Sequence, residues 1–123
     1  MEKVNNLENN NRKIDELNKK IFALEEEAKV LDESERKLLN LVDQYHENNE
    51  RDIRRLNEEM QFNMSGNKKM MMFLEEQMLL LKRMQHEQEG FYEEMSIEID
   101  KARAMNEEEI EQTEREIREF SHD

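Results

Sequence analysis

Apolar residues recur in alternating steps of three and four along the first half of the chain. They run Ile14, Leu17, Ile21, Leu24, Ala28 and Leu31, then past a polar interruption at Glu35 to Leu38, Val42 and Tyr45. That spacing keeps one seam of a helix facing a partner helix. Beyond Tyr45 the seam meets Asn49 and resumes as Ile53, Leu56 and Met60. Two consecutive steps of four shift its register and unwind a coiled coil locally. Residues 1–11 are rich in asparagine and poor in apolar side chains, so they are expected to form a flexible lead-in, with Asn10 or Asn11 as N-cap.

The turn residues cluster in "NMSGNKK", around Ser65, Gly66 and Asn67. Glycine reaches positive φ without a steric penalty and asparagine tolerates it, so the chain is expected to reverse here. Past the turn, a stripe runs Phe73, Gln77, Leu80, Met84, Gln88, Phe91, Met95, Ile99, Ala102, Asn106, Ile110, Thr113, Ile117 and Phe120. Its positions recur every eleven residues, close to the period of a straight helix. Gly90 lies inside the stripe without a change of phase. The predicted fold is therefore all-α, a long antiparallel two-helix hairpin with a first arm over 12–63, a turn over 64–67 and a second arm over 68–121. At ~1.5 Å per residue the arms measure about 78 and 81 Å. They match in length.

The segment "KKMMMFLEEQMLLLKRM", residues 68–84, is the densest apolar stretch of the chain. With Phe73, Leu80 and Met84 assigned to the seam between the arms, Met70, Met71, Leu74, Met78 and Leu81 make a second stripe beside it. Met60, Phe62 and Met64 approach the same tip from the first arm. The apolar arc spans about half the helix, wider than the ~100° a core-facing helix normally shows. Methionine moulds readily to a partner surface. These eight residues are therefore the candidate partner-binding set, and a further helix from another chain is expected there.

Composition narrows the chemistry. Charged residues make up 41% of 123 residues, with no proline and only two glycines, which suits long helices rather than a loop-rich globule. Without cysteine there are no disulfides or thiolate metal sites. The net charge of −13 is concentrated in residues 87–123, which carry −10 of it, so nucleic acid is an unsuitable partner. The opening segment lacks the apolar core of a signal peptide, and Glu75 and Glu76 interrupt the best candidate for a membrane span. A soluble, cytoplasmic protein that inserts in no membrane is expected. His46, His86 and His122 lack helical metal-site spacing, and the serines lie in no nucleophile motif. No catalytic, cofactor or metal residues emerge, and the chain is not expected to be an enzyme.

The segment "LNKKIFALEEEAKVLDESERKLLNLV", residues 17–42, resembles a family of small α-helical proteins associated with LXG toxins of Gram-positive bacteria. The likeness continues through "YHENNERDIRRLNEEM" and "KKMMMFLEEQ". It implies a WXG-like helical hairpin serving as targeting factor or chaperone. Its partner would be the N-terminal helical LXG domain of a cognate toxin exported by type VII secretion. This sequence has no Trp-x-Gly at its turn, where Phe62 and Gly66 are the nearest elements. Phe120 is followed by Asp123 one position too early for a Phe-x-x-x-Asp export signal, which would then lie in a second small helical partner. Whether the hairpin is co-secreted is left open. The alternative is a self-associating, homo-oligomeric coiled-coil scaffold.

Overall fold

A computed structural model describes the backbone of residues 2–63 and 66–122 and the side chains of 6–63 and 66–121. Two helices, α1 (Glu2–Phe62) and α2 (Lys68–His122), make an all-α hairpin. Helix α1 begins at Glu2, so residues 2–11 continue the helix and neither Asn10 nor Asn11 caps it. The intrinsic penalty for asparagine is only a few tenths of a kcal/mol, which an established helix absorbs. Leu7 and Asn10 also extend the three-and-four spacing backward from Ile14, and Asn10 is half-buried. Met64 and Ser65, in the expected turn, lie outside the described residues.

The turn is built differently from the expectation. No described residue has positive φ, so neither Gly66 nor Asn67 adopts the left-handed conformation. Instead, Asn67 caps α2: its Oδ1 accepts the backbone N–H groups of Lys69 at 3.1 Å and Met70 at 3.4 Å. These would otherwise be orphan donors of the first turn. At the other helix end, Asn63 donates both its backbone N–H (3.1 Å) and its side-chain amide (2.8 Å) to the Glu59 carbonyl. A side chain thus satisfies exposed backbone at each helix end.

The chain divides into two compact units. One consists of Met1–Glu35 with Glu98–Asp123 and contains both chain ends; the other is Arg36–Ile97 and contains the turn. In the terminal unit the arms run antiparallel, with Lys13 5.1 Å from the Phe120 ring, Asn106 against Leu24, and Arg103 against Asp32 and Glu35. In the turn unit Tyr45 and Tyr92 pack with ring centroids 5.6 Å apart.

Every seam position expected on α1, from Ile14 through Asn49 to Met60, is buried or half-buried. Leu24 and Leu38 are the most enclosed of them. On α2 the expected stripe holds from Ile99 to Phe120, but in the turn unit it does not. There the enclosed residues are Met71, Leu74, Gln77, Met78, Leu81, Gln85 and Tyr92, so of the expected stripe only Gln77 is enclosed, whereas Phe73, Leu80, Met84 and Phe91 are exposed. Counting by sevens from Met71 reaches Met78, Gln85, Tyr92, Ile99, Asn106, Thr113 and Phe120, each buried or half-buried. The second arm therefore follows the heptad period of the first, not an eleven-residue one. Over the 33 residues separating Phe73 from Asn106 the two periods diverge by roughly 150°, enough to turn Phe73 outward.

Asn48 and Asn49, a candidate hinge, lie in unbroken helix, and Asn49 is half-buried. Brief trypsin digestion should therefore cut first at Lys68 or Lys69, which are exposed beside the turn. Early cleavage at Arg51 would contradict a continuous α1; mass spectrometry of the first fragments decides.

Candidate docking surface

The turn unit places the sequence-predicted binding residues on two different faces. Leu74 is only 2% exposed, and Met71, Met78 and Leu81 are half-buried with it against α1. Met60 is half-buried on the α1 side of the same seam. These five hold the arms together. Met70, at 42% exposure, and Phe62, at 88%, remain open, and Met64 lies outside the described residues. The two stripes expected on α2 have exchanged places.

What faces outward is Phe73 (54% exposed), Leu80 (48%), Met84 (47%) and Phe91 (59%). At ~100° per residue these four fall within about 40° of one another and about 100° from Leu74. They form one apolar line along the helix, some 27 Å long at ~1.5 Å per residue. Met72, Leu79 and Ile97 are exposed as well, but lie on the other flank of α2. Between the line and α1 runs a groove bordered by Asp52, Arg55 and Leu56 on one side and by Gln77, Leu80, Leu81 and Met84 on the other. The line is apolar and its edges carry charge. Lys69, Glu76, Glu87 and Glu94 edge it on the side away from α1.

Polar chemistry is concentrated in the terminal unit, where it serves the seam. Arg103 donates through Nη2 to Asp32 at 2.9 Å and to Glu35. The Glu35 hydrogen bond pushes the Arg103 guanidinium above its already high value, so it stays charged at every pH the protein meets. This answers the polar interruption at Glu35: an anion at a seam position is met by a cation from the other arm. Arg103 was not among the residues read from sequence, although Glu35 was the signal for it. Asn106, 4% exposed, donates to the Leu24 carbonyl at 2.9 Å and to Glu27 at 3.4 Å. Thr113, fully buried, returns its hydroxyl to the Glu109 carbonyl at 2.7 Å.

On the surface, Glu111 and Arg115, four residues apart on α2, lie 4.0 Å from one another. Lys29 reaches Glu26 at 3.1 Å, and Asp32 pairs with Arg103 of the other arm. Among the described residues no three His, Asp or Glu side chains converge as metal ligands. Among them, too, no helix is long and apolar enough to cross a membrane.

The chain was compared with protein-family models, with curated proteins and with solved structures, and none of them matches it. The all-α hairpin is thus defined by its own geometry, and the resemblance to LXG-associated proteins rests on the sequence segments quoted above.

Proposed function

We propose that this hairpin is a non-enzymatic targeting factor or chaperone that binds the N-terminal helical LXG domain of a polymorphic toxin in the cytoplasm before type VII export. The observation that carries the reading is the exposed line Phe73–Leu80–Met84–Phe91, a helix-length apolar surface left open by a seam that is already complete. A helix from the toxin laid along this line would bury it, and adaptable methionine and aromatic side chains suit such a groove. Phe62 and Met70 are also exposed near the turn. The sequence likeness supports the choice of partner, and the exposed line supports this face of α2 as the docking surface.

The experiment is co-expression with a helical toxin domain encoded beside this protein, followed by pull-down. The Leu80→Glu/Met84→Glu double variant should lose capture by at least tenfold, because it sets two carboxylates in a contact that must be dehydrated. Its circular dichroism should match that of the parent, since both residues are about half exposed in the free chain. Undiminished capture would place the docking surface elsewhere. A heat-stable oligomer indifferent to every neighbouring gene product would instead favour the scaffold.

A further inference from the structure

We propose that the turn unit is a redox switch. Peroxide oxidation of its enclosed methionines Met60, Met71 and Met78 opens the seam between its arms, while the terminal unit keeps its own seam closed. The inference goes beyond partner binding and stands whatever covers the outward face of α2.

The placement of methionine carries it. The chain has neither cysteine nor tryptophan, which leaves its ten methionines as the side chains most readily oxidised. Met60, Met71 and Met78 are half-buried in the turn unit, where they help to close the seam. Among the described residues of the terminal unit, the enclosed apolar side chains are leucine, isoleucine, alanine and phenylalanine, and none is methionine. The described methionine of that unit, Met105, is 63% exposed. In the turn unit Met72 and Met84 are exposed as well. One unit is therefore closed in part by thioethers and the other by hydrocarbon alone.

The chemistry follows from the thioether. Its sulfur takes one oxygen from hydrogen peroxide: the O–O bond breaks, an S–O bond forms, and the second oxygen leaves as water with both protons. Sulfur is oxidised by two electrons and peroxide is reduced by two. The sulfoxide is polar and chiral where the thioether was flexible and apolar. On α2, Met71 and Met78 flank buried Leu74 at three and four residues, and Leu81 follows Met78 at three. These leucines offer a sulfoxide oxygen no donor, so it is dehydrated at a cost or drawn out to water. Half-burial also sets a threshold. Exposed Met72, Met84 and Met105 take up oxygen first, and the seam follows at higher peroxide. Methionine sulfoxide reductases remove the oxygen as water with electrons from two thiols, which makes the change reversible.

The experiment is a hydrogen peroxide series on the whole chain, with peptide mapping to locate each added oxygen and hydrogen exchange to follow each unit. Once Met71 and Met78 are oxidised, amides between residues 53 and 81 should exchange about tenfold faster or more, while those of the terminal unit keep their rates. Met60→Leu/Met71→Leu/Met78→Leu conserves volume, so it should fold as the parent does. It should gain oxygen at Met72, Met84 and Met105 with no change in exchange. Treating the oxidised parent with methionine sulfoxide reductases and dithiothreitol should restore protection. Seam methionines that stay reduced when every exposed one is oxidised, or that oxidise without loss of protection, would overturn the proposal. So would equal loss in the terminal unit or in the leucine variant, or protection that stays lost after the sulfoxides have been reduced.

Discussion

Leu74→Glu should unfold the turn unit, whereas Leu80→Glu, six residues along the same helix, should leave it standing. Leu74 is 2% exposed and Leu80 is 48% exposed, so the two substitutions test which face of α2 closes the hairpin. Removing a buried leucine forfeits ~1.5–3 kcal/mol of apolar burial. Placing a carboxylate there adds several kcal/mol more unless a cation reaches it or the site opens to water. The total, on the order of 5 kcal/mol, rivals the whole stability of a small domain, about 5–15 kcal/mol. At Leu80 the glutamate remains in solvent, and a surface change away from special features is worth about 0.5 kcal/mol or less. Thermal melts followed by circular dichroism would separate the outcomes. A Leu74→Glu protein melting with the parent would mean that the Met71–Leu74–Met78–Leu81 face is not the seam.

That contrast also shows where the sequence was readable. On α1 the apolar positions are sparse and separated by charge, so their period has one solution, and each expected seam position is enclosed. Between Met70 and Met84 the apolar arc of the second arm spans about half the helix, and Met72 and Leu79 add apolar side chains outside it. Several phases then fit equally well, and the aromatic residues Phe73 and Phe91 lie on the exposed one. The deciding constraint lies in the other helix: an arm with a heptad seam is answered by a heptad seam. Gln85, a polar member of the enclosed set, hides that repeat from a search for apolar residues alone. The turn was legible in place but not in mechanism. Gly66 suggested a left-handed residue, yet the work falls to the Asn67 cap.

The polar members of the terminal unit were legible in part. Asn106 and Thr113 stood in the expected stripe, and both are buried. Their satisfaction differs, and only contact between helices reveals it. Thr113 bonds within its own helix and would do so beside any partner surface. Arg103 reaches across to Asp32 and Glu35 but keeps a third of its side chain in solvent, which screens the attraction. Asn106 is both buried and dependent on the other arm, because its amide protons go to Leu24 and Glu27. It is therefore the group best placed to fix how the arms align.

Asn106→Leu should make the terminal unit more stable and less unique. Leucine would add apolar contact beside buried Leu24 and remove the need to dehydrate an amide, a gain of about 1–2 kcal/mol. What is lost is discrimination. In the parent, sliding one arm past the other strands the Asn106 amide without acceptors, a penalty of ~1–3 kcal/mol for each slipped alignment. Leucine carries no such penalty, so alignments a heptad apart come closer in energy. The expected result is a melting temperature several degrees above that of the parent, together with more amide resonances than residues in a two-dimensional NMR spectrum. Asn106→Asp should lower stability instead, because the carboxylate cannot donate to the Leu24 carbonyl and lies toward Glu27. If Asn106→Leu melted below the parent and still gave one resonance per amide, Asn106 would be a simple stabilising contact, and alignment would have to be set by Arg103 with its two acids.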